Sequence, residues 1–139
     1  MQSPVKARVF ELANWRGTSA TLLAYIGRKY FNDWSIAKVV AGNPRTPHEL
    51  LERLASHPVH NVRVAVANNR NTPEHLFGRL ADDNEWLVRW AVAQNPSAPH
   101  SVLVGFVSNE TENERVTEAA KQRLMRRTIK RFAKQSRRN

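Results

Sequence analysis

The chain has 139 residues, 41% of them apolar, which suits one domain with a sizeable core. It has no cysteine, so disulfides, thiolate metal sites and cysteine nucleophiles are excluded, and no apolar run approaches the ~18 residues of a membrane span. The formal charge is +10, but residues 1–120 hold 13 Lys/Arg against 12 Asp/Glu while residues 121–139 hold 9 Lys/Arg and no acid. The sequence therefore describes a nearly neutral body with a basic terminal arm.

In chain order, the first predicted element is a helix over "SPVKARVFELAN", with Ser3 as N-cap and Pro4 at the first helical position. Its apolar residues Val9, Phe10, Leu12 and Ala13 are expected to cover the exposed face of the first repeat unit. The opening "MQSPVKARVFELANWRG" has no apolar signal-peptide core, so the cytoplasm is the expected location.

The next region repeats with a period of 26 residues: Asn43, Asn69 and Asn95 align, as do Pro47, Pro73 and Pro99, and Arg63, Arg89 and Arg115. A degenerate earlier copy, with two extra residues, carries Thr18, Leu22, Leu23 and Ile26. A period in the range of about 20–50 residues signals stacked structural units. In "RTPHELLERLA", Thr46 is the expected N-cap, Pro47 the first helical residue, and Glu49 the partner in a capping box. Leu50, Leu51 and Leu54 form the apolar stripe. The second segment, "NVRVAVANN", is expected to begin at Asn61 and to bury small residues such as Ala65 and Val66. Each unit is thus a pair of short helices, and only neighbouring units can bury the stripes.

These residues resemble the leucine-rich repeat variant family, whose motif is close to "NPxTPxxLLxxLAxDPxxxVRxAVA"; here "NPRTPHELLERLASHPVHNVRVAVA" is nearly a copy. The resemblance covers residues 37–107. It implies a right-handed α-solenoid of alternating α and 3-10 helices, in the style of HEAT repeats. The units are slightly longer than the family's usual one, and the cysteine cluster found beside such repeats in one member is missing, so no cofactor is implied. The expected organisation is one domain over 1–139, with an N-terminal cap helix over 1–16, repeats over 17–112 and a long basic C-terminal helix over 113–139.

The arm carries the strongest functional signal. At about 100° per residue, Arg123, Arg126, Arg127, Lys130, Arg131, Lys134, Arg137 and Arg138 fall within roughly 140° of arc. Leu124, Met125, Ile129, Phe132 and Ala133 lie opposite. Val116, Ala119 and Ala120 project to the basic side, which predicts a change of packing or a bend near 120–123. The basic face suits a polyanion, nucleic acid first, or an acidic protein. The bland alternative is a capping helix whose apolar side closes the repeats.

A second surface is expected from Arg63, Arg89 and Arg115 with Trp86 and Trp90. The arginines would either bond inter-helix turns, with Asn61 and Glu85 as possible partners, or form a ridge that grips phosphates. Asp82, Asp83, Glu110, Glu112 and Glu114 look like solvent-facing caps at turns. Five histidines lack the spacing of a zinc set, and no glycine-rich phosphate loop or nucleophile elbow is present. The expectation is a non-enzymatic binding module with no metal, cofactor or small-molecule substrate, its oligomeric state left open. The alternatives are a protein-interaction adaptor and a nucleic-acid-modifying enzyme of HEAT-like fold. The enzyme needs carboxylates converging with Trp86 and Trp90.

Overall fold

The computed structural model describes residues 3–138 and is all-helical over them. The termini of the spans 1–16 and 113–139 lie outside the described residues at 1, 2 and 139. The helices are α1 (Pro4–Asn14), α2 (Ala20–Lys29), α3 (Trp34–Gly42), α4 (His48–Leu54), α5 (His60–Asn68), α6 (Glu74–Ala81), α7 (Trp86–Gln94), α8 (His100–Ser108) and α9 (Glu114–Ser136). The odd-numbered helices pack in succession, α1 on α3, α3 on α5, α5 on α7 and α7 on α9, and the even-numbered helices lie beside them.

The core follows the repeat. Leu50, Leu51 and Leu54 of α4 are buried, as are Leu76, Phe77 and Leu80 of α6 and Leu103 and Phe106 of α8. The odd helices bury smaller residues: Ile36, Ala37, Val40 and Ala41 in α3, then Val62, Val66 and Ala67 in α5. The i, i+1, i+4, i+5 spacing in α3 keeps a stripe on one face only at about 3.6 residues per turn. Both helices of each unit are accordingly α-helical among the described residues, and the 3-10 alternation implied by the resemblance is not observed. Bonds of the i→i+3 type occur at helix ends and turns, singly as from the Asn69 N–H to the Val66 carbonyl, or two in succession, from Ser56 and His57 to Arg53 and Leu54 after α4 and from Asp82 and Asp83 to Arg79 and Leu80 after α6.

Asparagine joins one unit to the next. Asn69 is buried and its Nδ2 donates to the carbonyls of Ala41 (2.7 Å) and Asn43 (2.9 Å) in the preceding unit, while its Oδ1 accepts from the Asn71 N–H. Asn95 repeats the pattern on Ala67 (2.7 Å) and Asn69 (3.0 Å), and Asn43 on Ala13 (2.8 Å) and Trp15 (3.1 Å). Each side chain thereby satisfies carbonyls that a helix end leaves unpaired. Because Ala13 receives the bond that Ala41 and Ala67 receive, α1 occupies the place of an odd helix one unit earlier. Ser3 caps it as the sequence indicates, accepting from the Lys6 N–H. Of the residues expected to pack, Ala13 is buried and Val9 partly so, but Phe10 and Leu12 are exposed.

Thr46 does not cap α4. The helix begins one residue later, Pro47 takes the position before it, and no side chain caps it. Thr46 is instead buried and donates its hydroxyl to the Val40 carbonyl at the end of α3, as Thr72 does to Val66 and Thr18 to Leu12. A buried hydroxyl within reach of an unpaired carbonyl is held there, because leaving either group unpaired costs more than losing an exposed cap. Asn61 likewise does not start the second helix: α5 begins at His60, again without a side-chain cap.

Candidate polyanion surface on the last helix

The arginine column is built into the packing. Arg63 pairs with Asp83 (Nε–Oδ2 2.7 Å, Nη2–Oδ1 2.9 Å) and donates from Nη1 to the His57 and Pro58 carbonyls. Arg89 pairs with Glu112 (Nη2–Oε1 2.8 Å) and donates to the Asp83 and Asn84 carbonyls. These forks hold inter-helix turns together, and both carboxylates are nearly covered. Asp83 and Glu112 are therefore packing partners rather than solvent-facing caps, and they take the place expected for Asn61 and Glu85. Burial pulls the Asp83 carboxyl up, but the bonds from Arg63 and the Glu85 N–H outweigh it and leave it below its ordinary range. Glu112 is held down in the same way by Arg89 and the Asn113 N–H against its burial.

Arg115 leaves the column. Val88, Ala91 and Val92 are the buried residues of α7, and Val116, Ala119 and Ala120 are those of α9, 28 positions later rather than 26. The two extra residues turn the following helix by about 200° relative to the repeat. Arg115 consequently lies over the Trp86 ring, 5.6 Å from its centroid, as a cation–π pair.

The second half of α9 faces opposite to expectation. The helix is continuous for 23 residues, about 34 Å at 1.5 Å per residue, so no break intervenes near 120–123. Its packed face runs through Val116, Ala119, Ala120, Arg123, Leu124 and Arg127, changing from apolar to basic along one line. Arg123 Nη2 donates to the Gln94 carbonyl, and Arg127 Nη2 donates to those of Pro96 (3.0 Å) and Ala98 (2.6 Å). The two arginines thus cover carbonyls of the turn after α7, the role asparagine plays in the earlier units. Burial and the charges of Arg126 and Arg127 hold the Arg123 guanidinium below its ordinary value.

From Thr128 to Arg138 every residue is exposed. Arg126, Lys130, Arg131, Lys134, Arg137 and Arg138 have no ion-pair partner among the described residues. Met125, Ile129 and Phe132 point away from the body and are 65%, 60% and 65% exposed, so the apolar side does not close the repeats.

Trp86 and Trp90 are half-buried and line a cleft of about 480 Å³ between α7 and α9 together with Glu114, Arg115, Glu118 and Gln122, so two exposed carboxylates do stand beside the tryptophans, as the enzyme alternative requires. Trp15 and Trp34 stand elsewhere on the surface, exposed. His57 is buried, with its ring against Phe31 and Nε2 at 2.9 Å from the Phe31 carbonyl. No described group of three His, Cys, Asp or Glu side chains is arranged to hold a metal, and no described helix is long and apolar enough to cross a membrane. The sequence reasoning missed the Asn43, Asn69 and Asn95 bonds, although polar residues at a strict period inside apolar segments were a signal for them. No protein-family model, curated protein or solved structure matches this chain.

Proposed function

We propose that the chain is a non-enzymatic helical-repeat module that docks a polyanion, nucleic acid first, through the basic face of α9. Its architecture is read as a right-handed α-solenoid of the leucine-rich repeat variant type, a reading supported by the asparagine bonds recurring at the repeat spacing. The observation that carries the function is the set of six exposed cations, Arg126, Lys130, Arg131, Lys134, Arg137 and Arg138, the last five of them on a segment, Thr128 to Arg138, in which every residue is exposed. Arg123 and Arg127 hold the helix to the body and leave this set. Phosphate contacts of this kind position a nucleic acid without reading its sequence.

The test is binding of a labelled short nucleic acid over a range of salt concentrations. Six neutralised phosphates at about 0.9 each give a log–log slope of magnitude about 5. Deleting residues 129–139 removes five of the six cations without uncovering the core, and it should reduce the slope to about 1. Equal binding by the full and shortened chains would overturn the reading.

The exposed stripe of Met125, Ile129 and Phe132 favours a second reading, a protein-interaction adaptor anchored by the amphipathic helix. A stoichiometric protein partner retained after nuclease treatment, and lost on changing the three residues to serine, would support it over the first.

A further inference from the structure

We propose that the cleft between α7 and α9 seats an unstacked base of single-stranded nucleic acid, whose phosphates continue onto the basic face of α9. This rests on the polyanion reading and specifies its ligand. One wall is Trp86 and Trp90, a helical turn apart on α7, and the other is Glu114, Arg115, Glu118 and Gln122 of α9. The volume of about 480 Å³ lies within the range of roughly 300–1,000 Å³ typical of small-molecule sites. Aromatic rings and flat guanidinium groups are the side chains on which free bases stack, and Arg115 already lies over the Trp86 ring. The carboxylates and the Gln122 amide offer acceptors and donors to a base edge.

The cleft is continuous with the cations. A neighbouring hollow is lined by Gln94, Gln122, Arg123 and Arg126 and shares Gln94 and Gln122 with the cleft, so an unbroken surface leads from the tryptophans to Arg126. Charge then orients the ligand. In the cleft Glu114 and Glu118 outnumber Arg115 and disfavour phosphate, while Arg126 and Lys130 attract it outside. A base can enter the cleft only when it is out of its stack, so a single strand binds better than a duplex.

The experiment compares three probes on the full chain: a short single-stranded oligonucleotide, the same strand with its bases removed, and a duplex. The intact strand should bind about tenfold tighter than the base-free strand, the gain of one stacked base. It alone should quench tryptophan fluorescence. Trp90→Leu should abolish the advantage while leaving duplex affinity and its salt slope unchanged; Trp90→Phe should keep most of it. If all three probes bind alike to the full chain, the base site is overturned and the phosphate reading stands. If none binds, both fall. If a lysine-rich peptide quenches the tryptophans and displaces the intact strand, the cleft belongs to a cationic peptide and the base site is overturned. The base-free strand requires no substitution, so its result does not depend on whether a variant folds.

Discussion

Asn69 shows how much a single polar residue can determine when it is buried. Its two donated bonds and one accepted bond all end on backbone groups, two of them in the previous unit. Asn69→Ala leaves those groups without a partner and should cost about 3 kcal/mol in urea unfolding; a loss below about 1 kcal/mol would show that water replaces the side chain. The carboxylates give a pH prediction of definite sign. The Lys6 ammonium, 2.7 Å away, and the Ser35 hydroxyl hold Asp33 down at about 2 against its burial, and Asp83 and Glu112 are also below their ordinary values. A carboxyl with a lowered folded pKa contributes stability above its unfolded value, and that contribution is lost as pH falls through the folded one. The thermal midpoint should therefore drop as pH goes from about 4 towards 2. Asp83→Asn should flatten part of that drop. Several residue assignments were legible in sequence, such as the Ser3 cap and the leucine stripes, because they depend on neighbours a few positions away. The tasks of Thr46 and Asp83 were not, because their partners belong to another helix: Thr46 bonds the end of α3, and Asp83 meets Arg63 across 20 residues.

Among the elements, α9 departs most from its expectation. Its periodicity correctly sorted cations from apolar residues, but periodicity does not say which side meets the body. Arginine won that contact because the turn after α7 presents the carbonyls of Gln94, Pro96 and Ala98, and guanidinium groups satisfy carbonyls where Met125, Ile129 and Phe132 would bury them unpaired. The double substitution Arg123→Ala with Arg127→Ala should cost about 1–2 kcal/mol. It should also speed amide exchange in the second half of α9 while that in α5 stays unchanged. Changing Met125, Ile129 and Phe132 to serine should shift stability by less than about 0.5 kcal/mol, since such exposed positions are lightly constrained. A larger loss in denaturant would mean that the stripe is covered in solution.

The whole molecule is organised by its spacing. Deleting residues 69–94 removes 26 positions, brings Asn95 to the place of Asn69, and sets Arg63 opposite Glu112. The product should remain helical by circular dichroism and unfold cooperatively at lower urea. Deleting two residues fewer should give a poorly ordered chain, because buried and exposed faces exchange. If both deletions fold equally well, the asparagine register does not define the unit. The sequence by itself determined that the chain is helical, where the leucine stripes fall, that the units recur every 26 residues, and that the charge sits in the last nineteen positions; these depend on local periodicity and composition. Tertiary structure decided the rest. Two extra residues before α9 turned Arg115 away from the other arginines and onto Trp86, and exposed carbonyls at the end of α7 drew the basic side of α9 inward. Trp86, Trp90, Glu114 and Glu118 came together only because α7 and α9 pack side by side, and a helix's own period carries no record of the surface it will meet.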